Sequence, residues 1–253
     1  NSAFIYMARH FASKGIPVPE VLAVSDDTMA YLQTDLGDSL LFGEIEKGRV
    51  TRSFSAHEKE LMALTISRLP DIQFAGADGL DFSVCYPSVD FDVRSIMWDL
   101  NYFKYCFLKA TGLEFSEDKL EDDFQRLTTV LMESSEGNTF MYRDFQSRNV
   151  MIRDNTPWFI DFQGGRRGPF YYDVASFLWQ AKANLPDKLR HELLDIYLQS
   201  LNKYLPIRRE EFLERLRHFV LFRTLQVLGA YGFRGYFEKK PHFMQSVPFA
   251  IAN

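Results

Sequence analysis

Apolar side chains fall at near-helical spacing over residues 3–11, and the run stops at Gly15, whose tolerance of positive φ suits a helix end. After Pro17 and Pro19 come two short β-like runs, 21–24 and 29–33, with Ser25-Asp26-Asp27 between them as a turn, so the pattern predicts a hairpin. Beyond Leu36-Gly37-Asp38 the period becomes helical almost everywhere. It predicts a helix over 39–47 and another opening at Ser55, where Ser55 and Glu58 have capping-box spacing. Tyr86-Pro87 break the chain, residues 93–108 form a strongly aromatic helical stretch ending at Gly112, and Ser116 starts a helix to about Glu133. Over 139–162 the pattern reverts to short strands around a polar loop, with Asn155-Thr156-Pro157 expected as the turn between strands at 150–152 and 158–160. Helices then follow over roughly 172–182, 186–204 and 209–229, with a last aromatic segment through Phe237. The expectation is an α+β chain whose change of character near Gly37 marks a boundary between residues 1–36 and 37–253.

With 253 residues, a hydrophobic share of 46% and aromatics at 15%, the chain has ample material for a core and does not read as disordered. A net charge of −5 and the lack of any Lys/Arg-rich stretch disfavour nucleic acid as a partner. The most apolar late stretch, 219–233, is interrupted by Arg223 and Gln226 and is too short to span a bilayer, and nothing at the start resembles a signal peptide. Cys85 and Cys106 lack the spacing of a disulfide framework or zinc site, and the five histidines lack metal-ligand spacing. A cytoplasmic protein without a membrane partner is expected.

The stretch Tyr142-Arg143-Asp144-Phe145-Gln146-Ser147-Arg148-Asn149, followed by a strand, a turn and Phe159-Ile160-Asp161-Phe162, changes this picture. It places an Asp, an Asn five residues later and a second Asp on loops anchored by hydrophobic strands. Phosphoryl transfer needs such a set: one carboxylate to orient the attacking hydroxyl and take its proton, an amide oxygen and a second carboxylate to hold Mg²⁺ against the phosphates. The Asp-to-Asn spacing alone equally describes a turn, and the order of strand, loop, strand, turn and terminal Asp is what makes the combination specific.

These motifs resemble the aminoglycoside phosphotransferase family, whose members have a protein-kinase-like, two-lobe fold and a His-x-Asp-x-x-x-x-Asn catalytic loop. The resemblance runs from the opening helix to Gly168-Pro169-Phe170-Tyr171-Tyr172-Asp173-Val174-Ala175-Ser176, similar to the family's GPxxYDLAS segment. It implies Asp144 as catalytic base, Asn149 and Asp161 as magnesium ligands, and Asp173 as a brace for the catalytic-loop backbone or Arg143. It also implies a mostly helical C-lobe over 37–253 and an incomplete N-lobe over 1–36, with Thr34, Asp35 and Leu36 at the hinge that meets adenine. Within the family the likeness is greatest to kinases of the anomeric hydroxyl of N-acetylmuramate or N-acetylglucosamine. Tyr142 stands where the family usually has His, a place a Tyr can fill with a polar tip. Only a short segment separates Asp161 from Asp173, which leaves no room for a peptide platform and favours a small, sugar-like acceptor.

Gln163, Arg166 and Arg148 are expected at the acceptor site, with a solvated basic turn as the competing reading for the arginines. The aromatic run around Trp98, with Asp99 and Asn101, could stack a sugar, but a helix packed into the core accounts for it more simply, as it does for Tyr231, Phe233, Tyr236 and Phe237. The overall expectation is an ATP- and Mg-dependent kinase of a small metabolite. A pseudokinase-like regulatory module is the alternative from another class, and aminoglycoside, choline or homoserine are the alternative acceptors. No glycine-rich loop or strand lysine precedes the opening helix, so the chain is expected to be part of a longer protein with possible further domains. Residues 1–253 alone should therefore bind ATP more weakly than a longer form of the chain; equal affinities in a titration would contradict this.

Overall fold

The computed structural model describes residues 1–134 and 137–252. Helix α1 (Ser2–Ser13) turns Ile5, Met7, Ala8 and Phe11 inward. Phe4 and Phe11 set their rings 5.2 and 5.3 Å from Phe162, and Phe11 also meets Phe140 edge-on at 5.0 Å. The opening helix is thereby packed directly on the segment that carries Asp161. Strands β1 (Val21–Val24) and β2 (Tyr31–Gln33) form the expected antiparallel hairpin.

The helix expected over 39–47 is instead two short pieces, α2 (Leu41–Glu44) and α3 (Glu46–Thr51). Gly43 and Gly48 lower helix propensity there, and the Gly48 N–H leaves the helical pattern to bond Glu58 Oε1 at 2.7 Å. That carboxylate also completes the capping box of α4 (Ala56–Pro70), accepting the Ser55 N–H at 2.7 Å. Helix α5 (Val93–Phe103) runs on through a π turn at 104–108, and α6 (Glu117–Glu133) starts behind a Ser116 cap.

Two small sheets hold the middle of the chain: β3 (Phe140–Met141) pairs with β6 (Arg166–Arg167), and β4 (Val150–Arg153) with β5 (Thr156–Phe159), both antiparallel. The β4–β5 turn lies one residue earlier than expected, at Asp154 and Asn155, whose φ values of 51° and 57° give a two-residue hairpin loop of the kind that matches strand twist. Pro157 is inside β5, opposite Ile152. A two-stranded sheet leaves each strand one free edge, which is where a residue without an N–H is tolerated.

Helices α7 (Tyr171–Leu178), α8 (Asp187–Leu201), α9 (Arg209–Gly232), α10 (Pro241–Met244) and α11 (Val247–Ile251) complete the chain. Every residue of α7 is buried, and it packs on α9, while α9 also packs along α5 and α8 along α4. The α5–α9 approach is set by glycine: a Cβ on Gly229 would stand 2.9 Å from the Phe103 nitrogen, and one on Gly232 would stand 2.3 Å from the Cys106 carbonyl oxygen. One apolar core runs from α1 through the small sheets to the C-terminal helices. Phe233, Tyr236 and Phe237 do not join it, contrary to the core expectation. The π turn after Gly232 carries them to the surface, where Phe233 lies against Tyr102 and Phe237. Among the described residues, no helix is long and apolar enough to cross a membrane.

Candidate functional site

The loop between β3 and β4 is shaped by buried polar bonds beneath it. Tyr142, enclosed between Phe140 and Phe145, donates its hydroxyl proton to the Ile160 carbonyl and so ties the loop to the residue before Asp161. Asp173 on α7 is fully buried, and its two oxygens accept the backbone N–H groups of Tyr142 at 2.8 Å and Arg143 at 2.9 Å. Gln73 adds an N–H at 3.3 Å and is itself held by the Tyr197 hydroxyl at 2.8 Å. These bonds offset a local cost, since Arg143 and Asp161 sit at φ 76° and 66°, a region costing non-glycine residues of order 1–3 kcal/mol each. Asp173 thus grips the loop through its backbone; the Arg143 guanidinium turns instead to Asp99, 3.7 Å away.

Above this brace, Asp144, Asn149 and Asp161 come together. The Asn149 side-chain nitrogen donates to the Asp144 carbonyl at 2.9 Å and to Asp161 Oδ2 at 3.2 Å, while Gln163 Nε2 donates to Asp161 Oδ1 at 2.8 Å. With its nitrogen committed, Asn149 keeps its amide oxygen for another partner. That oxygen and the Asp161 carboxylate form a hard, oxygen-only donor pair suited to Mg²⁺. All three residues line a cavity of about 910 Å³ together with Gln33 and Gln163.

Asp144 also lines a second cavity, of about 470 Å³, whose other walls include Trp98, Asp99, Arg143, Arg148 and Arg223. A linked set of side chains from α5, α7 and α9 supports this face. Arg223 reaches Asp144 Oδ1 at 3.4 Å, Gln226 Oε1 at 2.6 Å and Ser176 Oγ at 3.2 Å. Gln226 passes the connection on to Asp99 Oδ2 at 3.1 Å and accepts the Tyr172 hydroxyl proton at 2.5 Å. Burial pushes the Asp99 carboxyl up, with Arg143 and Arg223 pulling it back. Burial opposes the charge on Arg223, but Tyr172 and Asp144 outweigh it and keep the guanidinium firmly protonated.

The remaining sequence expectations divide. Arg148 lines the second cavity. Gln163 does not: its bond to Asp161 fixes it in the first cavity, beside Asn149 and Asp161. Arg166 lines neither cavity and is no solvated turn. It is strand β6, whose pleat turns the side chain inward to 2% exposure, with Nε and Nη2 unpartnered. Thr34 continues from β2 with its N–H already bonded to the Glu20 carbonyl at 2.9 Å, so of its backbone groups only the carbonyl is left for a ligand. Asp35 spends its side chain on the Gly37 N–H at 2.8 Å, and Leu36 is buried. Trp98 is not core: it is 65% exposed, stacked on Tyr102, and walls the second cavity with Tyr231. Asn101 instead turns its amide back to the Met97 carbonyl at 2.9 Å. Residues that the sequence reading missed are Lys182, Arg223 and Gln226. The last two had left a trace as the polar interruptions of the apolar run 219–233.

The sequence profile of the phosphotransferase enzyme family matches residues 2–210. An N-acetylmuramate/N-acetylglucosamine kinase of Pseudomonas aeruginosa is 26% identical over 251 residues, covering 97% of this chain and 70% of the relative. Among solved structures, a choline/ethanolamine kinase family protein from Mesorhizobium loti superposes with a TM-score of 0.62 at 14% identity, over 100% of this chain and 76% of its own. Amicoumacin kinase in complex with AMP-PNP, Ca²⁺ and Ami gives 0.63 at 11% identity, over 91% of this chain and 69% of its own. The fold is therefore the protein-kinase-like α+β fold of small-molecule kinases.

The brace is testable through its proton. Burial pushes the Asp173 carboxyl up from 3.8 to about 7, against the pull of the Tyr142, Gln73 and Arg143 N–H donors. Because the folded value lies above the unfolded one, the folded state holds the extra proton, and stability linked to this group is complete below the ordinary value and lost as pH rises through about 7. The melting midpoint of wild type relative to Asp173→Asn should therefore decline between about pH 4 and 7. A difference that is constant or grows over that range would mean that the carboxyl stays ionised in the fold.

Proposed function

Because the chain belongs to the phosphotransferase enzyme family, we propose that it uses ATP and magnesium to phosphorylate a hydroxyl of an amino sugar of the N-acetylmuramate or N-acetylglucosamine type. The observation that carries the reading is the position of Asp144, the one carboxylate on the walls of both cavities. On one side it faces the oxygen donors Asn149 and Asp161; on the other, a polar chamber with an aromatic wall at Trp98 and Tyr231. A hydroxyl entering from the chamber meets a proton acceptor at the point where it would face a nucleotide held on the other side.

In this reading the Asp144 carboxylate orients the acceptor hydroxyl and takes its proton as the oxygen bonds to the γ-phosphorus and the bond to the leaving ADP oxygen breaks. Asn149 and Asp161 would hold magnesium, which when bound neutralises phosphate charge. Gln163 keeps the Asp161 carboxylate turned toward that site through its 2.8 Å bond. Arg223, at 3.4 Å, holds the Asp144 carboxylate in one orientation. Residues 1–36 form the N-lobe side, with the backbone of residues 34–36 toward adenine, and residues 37–253 the C-lobe. The amino-sugar class is supported by the relative from P. aeruginosa, and the chamber's volume of about 470 Å³ lies in the range of small-molecule sites.

Replacing Asp144 by Asn should lower turnover on amino sugars by roughly 10²–10⁴-fold, the usual worth of a positioned base, with little change in melting midpoint. ADP release measured with N-acetylglucosamine and N-acetylmuramate checks this, and wild-type turnover by the variant would remove Asp144 from the base role.

A further inference from the structure

The chamber on the acceptor side is far more cationic than the chain around it. Its walls carry Arg143, Arg148, Lys182, Arg223 and Arg234 against only Asp99 and Asp144, in a protein of net charge −5. Three of these cations are already answered by carboxylates: Arg143 by Asp99 at 3.7 Å, Arg223 by Asp144 at 3.4 Å, and Arg234 by Glu238 at 3.7 Å. Arg148 and Lys182 are not; among the described residues no carboxylate comes within 4.0 Å of either.

Lys182 is half-buried, and Arg148, although exposed, lies over an aromatic ring. Lys182 sits in a single 3₁₀ turn whose flanking residues, Ala181 and Ala183, are both buried, and Asn184 pins that turn to the Arg49 carbonyl at 3.0 Å. Arg49 in turn reaches the Lys182 carbonyl at 3.4 Å. The Arg148 guanidinium lies 4.3 Å from the centre of the Phe42 ring, which Arg49 also covers, at 3.6 Å. Three cations are thus gathered around one ring and one turn, with Glu46 the acid that bears on Arg49. Burial, and then the charges of Arg148 and Arg49, hold the Lys182 ammonium below its usual range. Such mutual repulsion costs stability unless an anion relieves it.

Among the described residues, the cavity that holds Asn149 and Asp161 has no Lys or Arg on its wall, so the excess positive charge lies on the acceptor-side chamber. A cationic acceptor would be repelled by the same groups.

We propose that Arg148 and Lys182 form a subsite for an acidic group, carboxylate or phosphate, carried by the acceptor sugar away from the hydroxyl that Asp144 orients. This rests on the amino-sugar reading above and narrows it: the preferred acceptor is an acid, and these two residues set that preference. Guanidinium and ammonium donors on a charged oxygen give the strong class of hydrogen bond.

The test measures acceptor binding by calorimetry, with ADP release followed separately. N-acetylmuramate supplies the carboxylate, N-acetylglucosamine 6-phosphate the phosphate, and N-acetylglucosamine the neutral control. At least one acid should bind about tenfold or more tightly than the neutral sugar, as expected for one added charge-assisted contact. Lys182→Gln and Arg148→Gln should each shrink that ratio severalfold, Lys182→Arg should retain most of it, and added salt should narrow it. Equal affinity for all three sugars, or an undiminished ratio in both Gln variants, overturns the subsite. Equal ADP release from acidic and neutral sugars, without acid preference in binding, sinks the subsite and leaves the phosphotransfer reading intact. Acid preference in binding with no ADP release from any sugar does the reverse.

Discussion

The site depends on a buried carboxylate that touches no ligand. Asp173 fixes the backbone of two consecutive loop residues, and through them the direction in which Asp144 leaves β3. The constraint is severe because Arg143 adopts a backbone conformation that it would not hold unaided. Stability is spent at this point so that the loop has one shape, and the surrounding layer of Gln73, Tyr197 and the buried face of α7 exists to keep that carboxylate bonded and dry. The Tyr142 hydroxyl extends the same logic to the second loop, so that Asp144 and Asp161 are positioned by one continuous structure rather than by two independent turns.

On that frame the molecule separates its charges by side. Oxygen donors face one cavity and cations the other, with Asp144 between them. In the proposed reading, two reactants that both carry negative charge would meet at Asp144 from the two cavities, each with its own compensation: magnesium for the nucleotide and side-chain cations for the acceptor. The linked chain Asp144–Arg223–Gln226–Asp99–Arg143 also ties Asp144 to two helices, α5 and α9, so its carboxylate cannot turn without moving bonds elsewhere.

What the sequence disclosed follows from how chemistry is distributed along it. Asp144, Asn149 and Asp161 were legible because they lie within one short stretch of strand, loop and strand, where spacing alone restricts geometry, and the likeness to a kinase family extended that reading to the whole fold. Arg223, Gln226 and Lys182 were not, because only the packing of α9 and of the turn after α7 brings them to the same chamber. Their polarity inside an apolar run was a visible anomaly with no visible destination. Arg166 misled for the opposite reason: so close after Asp161 it read as an acceptor-site group, or else part of a solvated basic turn, yet pairing with β3 makes 166–167 a strand, and the pleat puts the first of them inside. Trp98 was assigned to the core because its helix is strongly aromatic, and periodicity does not tell an aromatic row that faces a cavity from one that faces a neighbour.

The glycines at 229 and 232 carry a further implication. They set how near α9 can come to α5, and those two helices supply adjoining parts of the second cavity's wall, with Asp99 and Trp98 on one and Arg223 and Gln226 on the other. On its helical side the width of the chamber is therefore fixed by a backbone-to-backbone distance, while the β3–β4 loop and the turn after α7 complete the wall. Sequence drift in those loops can retune the polar lining, whereas widening the helical side would require two helices to part.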